Sequence, residues 1–123
     1  MEWKPNQKVF CCGGSSYYDS VKVTALLALI RPGCVIVGSL RGCDLAAYTW
    51  ARDNGVPTIV MSANSKSYGP RGGPIRNRWV LKWCRPDLVV VFPGGAGVRD
   101  MVLRAQGADI PVVECTSEEA QDD

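Results

Sequence analysis

Short apolar runs alternate with amphipathic stretches along the chain, and glycine or proline punctuates almost every junction. Val9 to Cys12 is apolar and ends in Gly13-Gly14. Asp19 stands where a helix N-cap belongs. Val23, Leu26, Leu27 and Ile30 then follow the i, i+3, i+4, i+7 spacing of one buried helical stripe. Pro32-Gly33 stops that helix, and Cys34 to Val37 forms a second apolar run closed by Gly38. Cys43, Ala46, Ala47, Trp50 and Ala51 mark a second stripe, whose alanines predict close packing on a sheet. Gly55 ends it, and Thr58 to Met61 is a third β-rich run.

Ser62 to Gly73 is the longest irregular segment, rich in Ser, Gly and Pro. A third helix is predicted from about Pro74 to Cys84, with Ile75, Trp79, Val80 and Trp83 inward, since proline is tolerated in a first helical turn. Leu88 to Phe92 is unbroken apolar, the mark of a strand covered on both faces. After Pro93-Gly94-Gly95, Val98, Met101, Val102 and Ala105 make a fourth stripe capped by Gly107, and Ile110 to Glu114 is a fifth strand. Strands and helices that alternate over short connections predict an α/β fold with right-handed crossovers. The expected form is a single Rossmann-like three-layer domain with a five-stranded parallel sheet, order 3-2-1-4-5. Residues 1–117 form that domain, and 118–123 read as a frayed acidic tail. The topological switch point falls between strands one and four, where ligands bind beyond the carboxyl ends of the strands.

Composition narrows the chemistry. The 123 residues are 46% hydrophobic and 21% charged, which suits one globular domain. No apolar run reaches the ~18 residues of a membrane span, and the opening Met-Glu-Trp-Lys-Pro lacks a secretory layout, so a soluble cytoplasmic protein without a membrane partner is expected. Histidine is absent. That removes a Ser-His-Asp triad, a Cys-His pair, a histidine-bound metal and a histidine proton shuttle. The six cysteines, at 11, 12, 34, 43, 84 and 115, contain no C-x-x-C pair and read as small buried hydrophobes, so no metal site is expected. The net charge of +2 hides an asymmetry. Glu118, Glu119, Asp122 and Asp123 lie in the last six residues, which leaves fourteen bases against eight acids in the body. No acid occurs between Asp53 and Asp87, where Lys66, Arg71, Arg76, Arg78, Lys82 and Arg85 all fall. Such a one-signed stretch attracts anions.

Four segments carry the candidate site. Gly13-Gly14-Ser15-Ser16 and Pro93-Gly94-Gly95-Ala96-Gly97-Val98 each follow a strand and lead into a helix. Glycines admit a close backbone approach, and N–H groups at a helix start favour an anion such as phosphate. Neither turn is a Walker A motif, since no Gly-Lys-Ser/Thr follows. In Gly38-Ser39-Leu40-Arg41-Gly42-Cys43-Asp44, the carboxylate of Asp44 could accept from a ribose hydroxyl or a base amine, or simply complement a helix dipole. In Gly72-Gly73-Pro74-Ile75-Arg76-Asn77, Arg76 is placed to fork onto a phosphate or carboxylate and Asn77 to read a base or sugar.

These segments resemble the YspA/YpsA-related branch of the SLOG superfamily. The resemblance runs through Cys12-Gly13, Gly38-x3-Gly42-Cys43-Asp44-Leu45-Ala46, Gly73-Pro74-Ile75-Arg76-Asn77 and Phe92-Pro93-Gly94-Gly95-Ala96-Gly97-Val98-Arg99-Asp100-Met101, and spans roughly residues 8 to 114. It implies a compact Rossmann-like fold that binds nucleotides or nucleotide-derived ligands. Relatives in that superfamily include LOG phosphoribohydrolases, molybdenum-cofactor carrier proteins, DprA DNA-processing proteins and sensor domains for NAD-derived signals. The chain departs from the pattern at three places. Gly14-Ser15 replaces the usual Ser-Arg after strand one, Val98 replaces a threonine, and Met101 stands where LOG enzymes carry a glutamate. A thioether cannot exchange a proton, so no catalytic residue is assigned.

The leading expectation is a binding module that senses, carries or sequesters a nucleotide-derived ligand, with no resident cofactor. The alternative is a nucleotide N-glycosidase or phosphoribohydrolase that uses Asp44 or Asp100 as its acid-base group. A third reading, nucleic-acid binding through residues 66–85 with Trp79 and Trp83 as stacking groups, is set aside because the predicted stripe turns both tryptophans inward. A homo-oligomer is the expected assembly for a small parallel-sheet domain.

Overall fold

A computed structural model describes residues 4–14, 17 and 19–115. Ser15, Ser16 and the acidic tail therefore lie outside the described residues. Five strands, β1 (Lys8–Cys12), β2 (Cys34–Val37), β3 (Thr58–Val60), β4 (Leu88–Val91) and β5 (Val112–Glu114), form one parallel sheet in the order β3-β2-β1-β4-β5. The register places Phe10 opposite both Ile36 and Val89. The central strands read as unbroken apolar runs because each side of the sheet is covered.

Side-chain alternation divides the core in two. Val9, Cys11, Val35, Val37, Leu88 and Val90 face one layer, built from α1 (Ser20–Ile30) and α2 (Gly42–Asp53). Phe10, Cys12, Ile36, Val89 and Val91 face the other, where Val80, Met101 and Ala105 complete the packing. α1 begins as the sequence predicts, with the Asp19 side chain accepting from Lys22 N, and it buries Val23, Leu27 and Ile30. In α2 the small residues Ala47 and Ala51 are fully buried, which lets that helix lie close on β1 and β2. α5 (Ala96–Gly107) buries Met101 and Ala105, as its stripe requires.

The segment between β3 and β4 differs from expectation. The stretch predicted irregular contains a short helix, α3 (Ser65–Tyr68), and a 3₁₀ turn (Gly69–Arg71). α4 (Gly72–Trp79) starts two residues before Pro74 and runs into a π-helical turn (Val80–Cys84). Trp79 and Trp83 are 38% and 63% exposed, not inward. The stripe that meets the core is Asn77, Val80, Leu81 and Cys84, about 100° around the helix from the tryptophans. Both sets satisfy helical spacing. The sequence pattern favoured the larger rings, whereas the packing against α5 chose the polar Asn77 and its phase.

Among the described residues, no helix is long and apolar enough to cross a membrane, and no group of three or more His, Cys, Asp or Glu side chains could hold a metal ion.

Candidate functional site

The carboxyl ends of β1, β2 and β4 meet at the switch point. The two glycine turns converge there, but on each other. Gly14 N donates to Pro93 O at 2.8 Å, so this amide is spent inside the chain. A Cβ on Gly94 would lie 2.6 Å from Gly14 N, and one on Gly13 would lie 2.5 Å from Cys43 Sγ. Close chain packing therefore explains glycine at these positions. Gly95 and Gly97 are different. A Cβ at either would meet nothing within 4 Å, and neither has a positive φ.

Beside these turns lies a cleft of about 190 Å³, lined by Cys12, Gly13, Gly14, Asp44, Arg76, Asn77, Gly95, Gly97 and Val98. Eight of those nine are positions the sequence singled out. Of the remainder, Gly38 packs directly against the Arg76 guanidinium. Pro93 supplies the carbonyl that joins the turns, and Ala96 is the exposed first residue of α5. Gly42 opens α2 with φ +53° and borders a separate groove between α1 and α2. Two larger cavities, of about 430 and 510 Å³, are lined mainly by apolar surface, the second with Ser20, Thr24, Thr49, Asp53 and Asn54 around it.

Arg76 is the centre of the polar network. Its Nη1 donates to Gly38 O at 2.9 Å and to Met61 O at 3.2 Å, tying together the ends of β2 and β3. Its Nε donates to Asn77 Oδ1 at 2.9 Å. Among the described residues, Nη2 alone of its guanidinium nitrogens has no hydrogen-bond partner. Arg76 itself lines the cleft, together with Asn77, Gly95 and Gly97. The guanidinium also lies over the Phe10 ring, 5.9 Å from its centroid. Any side chain at 38 would displace it.

Asn77 lines the cleft, but its amide is engaged within the chain. It is 1% exposed, and its Nδ2 donates to Gly97 O at 2.9 Å and to Asp100 Oδ2 at 3.0 Å. With Oδ1 taken by Arg76, the whole amide is committed to joining α4 to the first turn of α5. Asp100 is held in turn by Arg104 Nε at 2.7 Å. Asp44 is likewise engaged. Its Oδ2 accepts from Gly38 N and Ser39 Oγ, and its Oδ1 from Cys43 Sγ. It braces the turn that enters α2.

Burial raises the Asp44 carboxyl above its ordinary range, against the pull of the Cys43, Ser39 and Gly38 hydrogen bonds and the Arg76 charge. Burial also lowers Arg76, partly offset by Asp44, Cys12 and Asp100. The Cys12 thiol is pushed up to about 12, mainly by burial and then by Asp44, which leaves it neutral and a poor nucleophile.

A raised folded pKa has a definite sign. The folded protein holds the Asp44 proton more tightly than the unfolded chain, so this group's contribution is fully present below pH 3.8 and is lost as pH rises through the folded value. Asp44→Asn removes that titration. Urea melts of both proteins should show the variant gaining on the wild type as pH rises from acid toward neutral. A gap that narrows over that range contradicts a desolvated carboxyl here.

The arrangement can accept an anion. The first-turn N–H groups of α5 have no carbonyl partners within the helix, and the helix dipole makes that end partly positive. They share the cleft with Arg76 Nη2. Sequence reasoning missed Cys12 in the lining, Ser39 behind Asp44 and Met61 O behind Arg76. The first is legible as the last residue of a central strand; the others depend on backbone placement.

No protein-family model matches the chain, and neither does a curated protein or a solved structure.

Proposed function

We propose that the chain binds a nucleotide or nucleotide-derived ligand in this cleft, as its resemblance to the SLOG superfamily implies, and does not turn it over. The observation that carries the reading is the contrast among the glycines. Gly13, Gly14, Gly38 and Gly94 are accounted for by neighbouring chain, whereas Gly95 and Gly97 border empty space at a helix start. A ligand phosphate against the α5 amides would give that space a purpose, with Arg76 Nη2 sharing the charge. The cleft is smaller than the ~300 Å³ lower range of whole-ligand pockets. It suits a phosphate and its sugar, with the rest of the ligand outside.

Binding is favoured over hydrolysis because the carboxylates are engaged. Asp44 and Asp100 each hold neighbouring chain groups, and Met101 is wholly buried in the core. The test is a thermal-shift panel with AMP, NAD, ADP-ribose and cyclic dinucleotides, followed by chromatography of each mixture. A ligand at 100 times its Kd adds about 2.7 kcal/mol to stability. The reading predicts a raised Tm for at least one phosphate-bearing compound and its recovery intact. Released free base would establish the enzyme instead.

A further inference from the structure

The outer face of α4 and its π-helical turn carries a feature the cleft does not use. Trp79 and Trp83 stack on each other, centroids 5.8 Å apart and planes 10° from parallel, while both remain exposed. Lys82 Nζ lies 5.2 Å from the Trp83 centroid and 6.0 Å from that of Trp79, and Arg78 lies 5.9 Å from the Trp79 centroid. Arg78, Lys82 and Arg85 are all exposed. Large aromatic rings are seldom left in water side by side without an occupant.

We propose that this face is a docking surface for single-stranded nucleic acid, with a base stacked on Trp83 and backbone phosphates held by Lys82, Arg78 and Arg85. Charge selects the partner. No acid occurs from residue 54 to 86, so this helical face carries no acid of its own, and among the described residues no ion pair engages Arg78, Lys82 or Arg85. A second copy meeting it about a two-fold axis would set these cations against themselves. An anionic partner is required, and the parallel rings call for one that also carries flat π surfaces. Single-stranded nucleic acid supplies both, by base stacking and cation contacts to phosphate. An acidic peptide would leave the rings unused. A lipid surface would require a broad apolar face, whereas Val80 is buried and Leu81 packs inward, leaving only the two rings outside. Asn77 and Arg76 reach the cleft from the same helix's inner side, so the two surfaces are separate.

The experiment uses the full chain, with fluorescence anisotropy of a labelled oligothymidylate and oligouridylate and, in parallel, quenching of tryptophan emission. Binding with quenching is expected, with log K falling against log salt. Trp83→Ala should weaken Kd about tenfold, Trp83→Phe much less. Lys82→Gln should reduce the salt slope by about 0.7. Trp83 is 63% exposed, so these variants should stay folded, with Tm lowered only by the lost stack on Trp79. Gly97→Ala should leave oligonucleotide binding unchanged. The proposal is overturned by no binding at low salt, by equal binding in Trp83→Ala, or by loss of binding in Gly97→Ala. It is also overturned if the chain takes anionic phosphatidylserine vesicles but no oligonucleotide, or self-associates through Trp83 without binding either.

Discussion

Asn77→Ala should destabilise the protein by about 3 kcal/mol, the largest loss expected from any polar substitution in the site. Three buried or half-buried groups lose a partner at once: Arg76 Nε, Gly97 O and Asp100 Oδ2. A buried polar group left unsatisfied costs about 1–3 kcal/mol, and part of the total is recovered as water or Arg104 takes over at Asp100. For a domain of this size the loss corresponds to a fall in Tm of roughly 10 °C, measurable by calorimetry. Asn77→Asp gives a sharper version. Its second oxygen would face Gly97 O and Asp100 Oδ2, with nothing to donate unless it is protonated. Its folded pKa would be raised, so the deficit should be full at neutral pH and shrink as pH falls. An Asn77→Ala variant as stable as the wild type would show that the amide only fills space.

Gly97→Ala should move stability and binding in opposite directions. Alanine in a helix is favoured over glycine by about 0.5–1 kcal/mol, and a Cβ at 97 meets nothing within 4 Å. Urea denaturation should therefore show a protein at least as stable as the wild type. The same Cβ would stand where the ligand anion approaches the α5 amides. Losing two charge-assisted hydrogen bonds there would weaken binding about 100-fold. Gly94→Ala is the contrasting case. Its Cβ would strike Gly14 N at 2.6 Å, so stability and binding should fall together. Fold and site can thus be separated within one glycine run, although both positions look alike in the sequence.

That likeness marks where sequence reading stops. The sheet and its order were legible because burial on both faces leaves unbroken apolar runs such as Leu88–Val91, and glycine or proline breaks end them cleanly. Eight of the nine residues in the cleft were legible too, since a parallel sheet brings the turns after β1 and β4 together whatever their side chains. The roles within it were not. Arg76 and Asn77 look like ligand contacts when read along the chain. Folded, the Asn77 amide is engaged on three chain groups, and Arg76 spends Nε and Nη1 on chain oxygens, leaving Nη2 without a partner among the described residues. Spacing records which residues share a helix face but not which carbonyls approach that face. The tryptophans failed for a related reason. Two stripes one position apart both fit helical periodicity, and the choice between them rested on a buried amide that hydrophobicity ranks low.

The central claim is that the amides at the start of α5, with Arg76 Nη2 beside them, receive a phosphate. Its most direct measurement is a ¹⁵N–¹H titration of the assigned protein with the nucleotide that raises Tm most. The account predicts saturable shifts concentrated at the amides of Gly95, Ala96, Gly97 and Val98 and at the Arg76 side chain, absent in Gly97→Ala. Shifts confined to another surface, or none at these amides while binding is saturated, would contradict it.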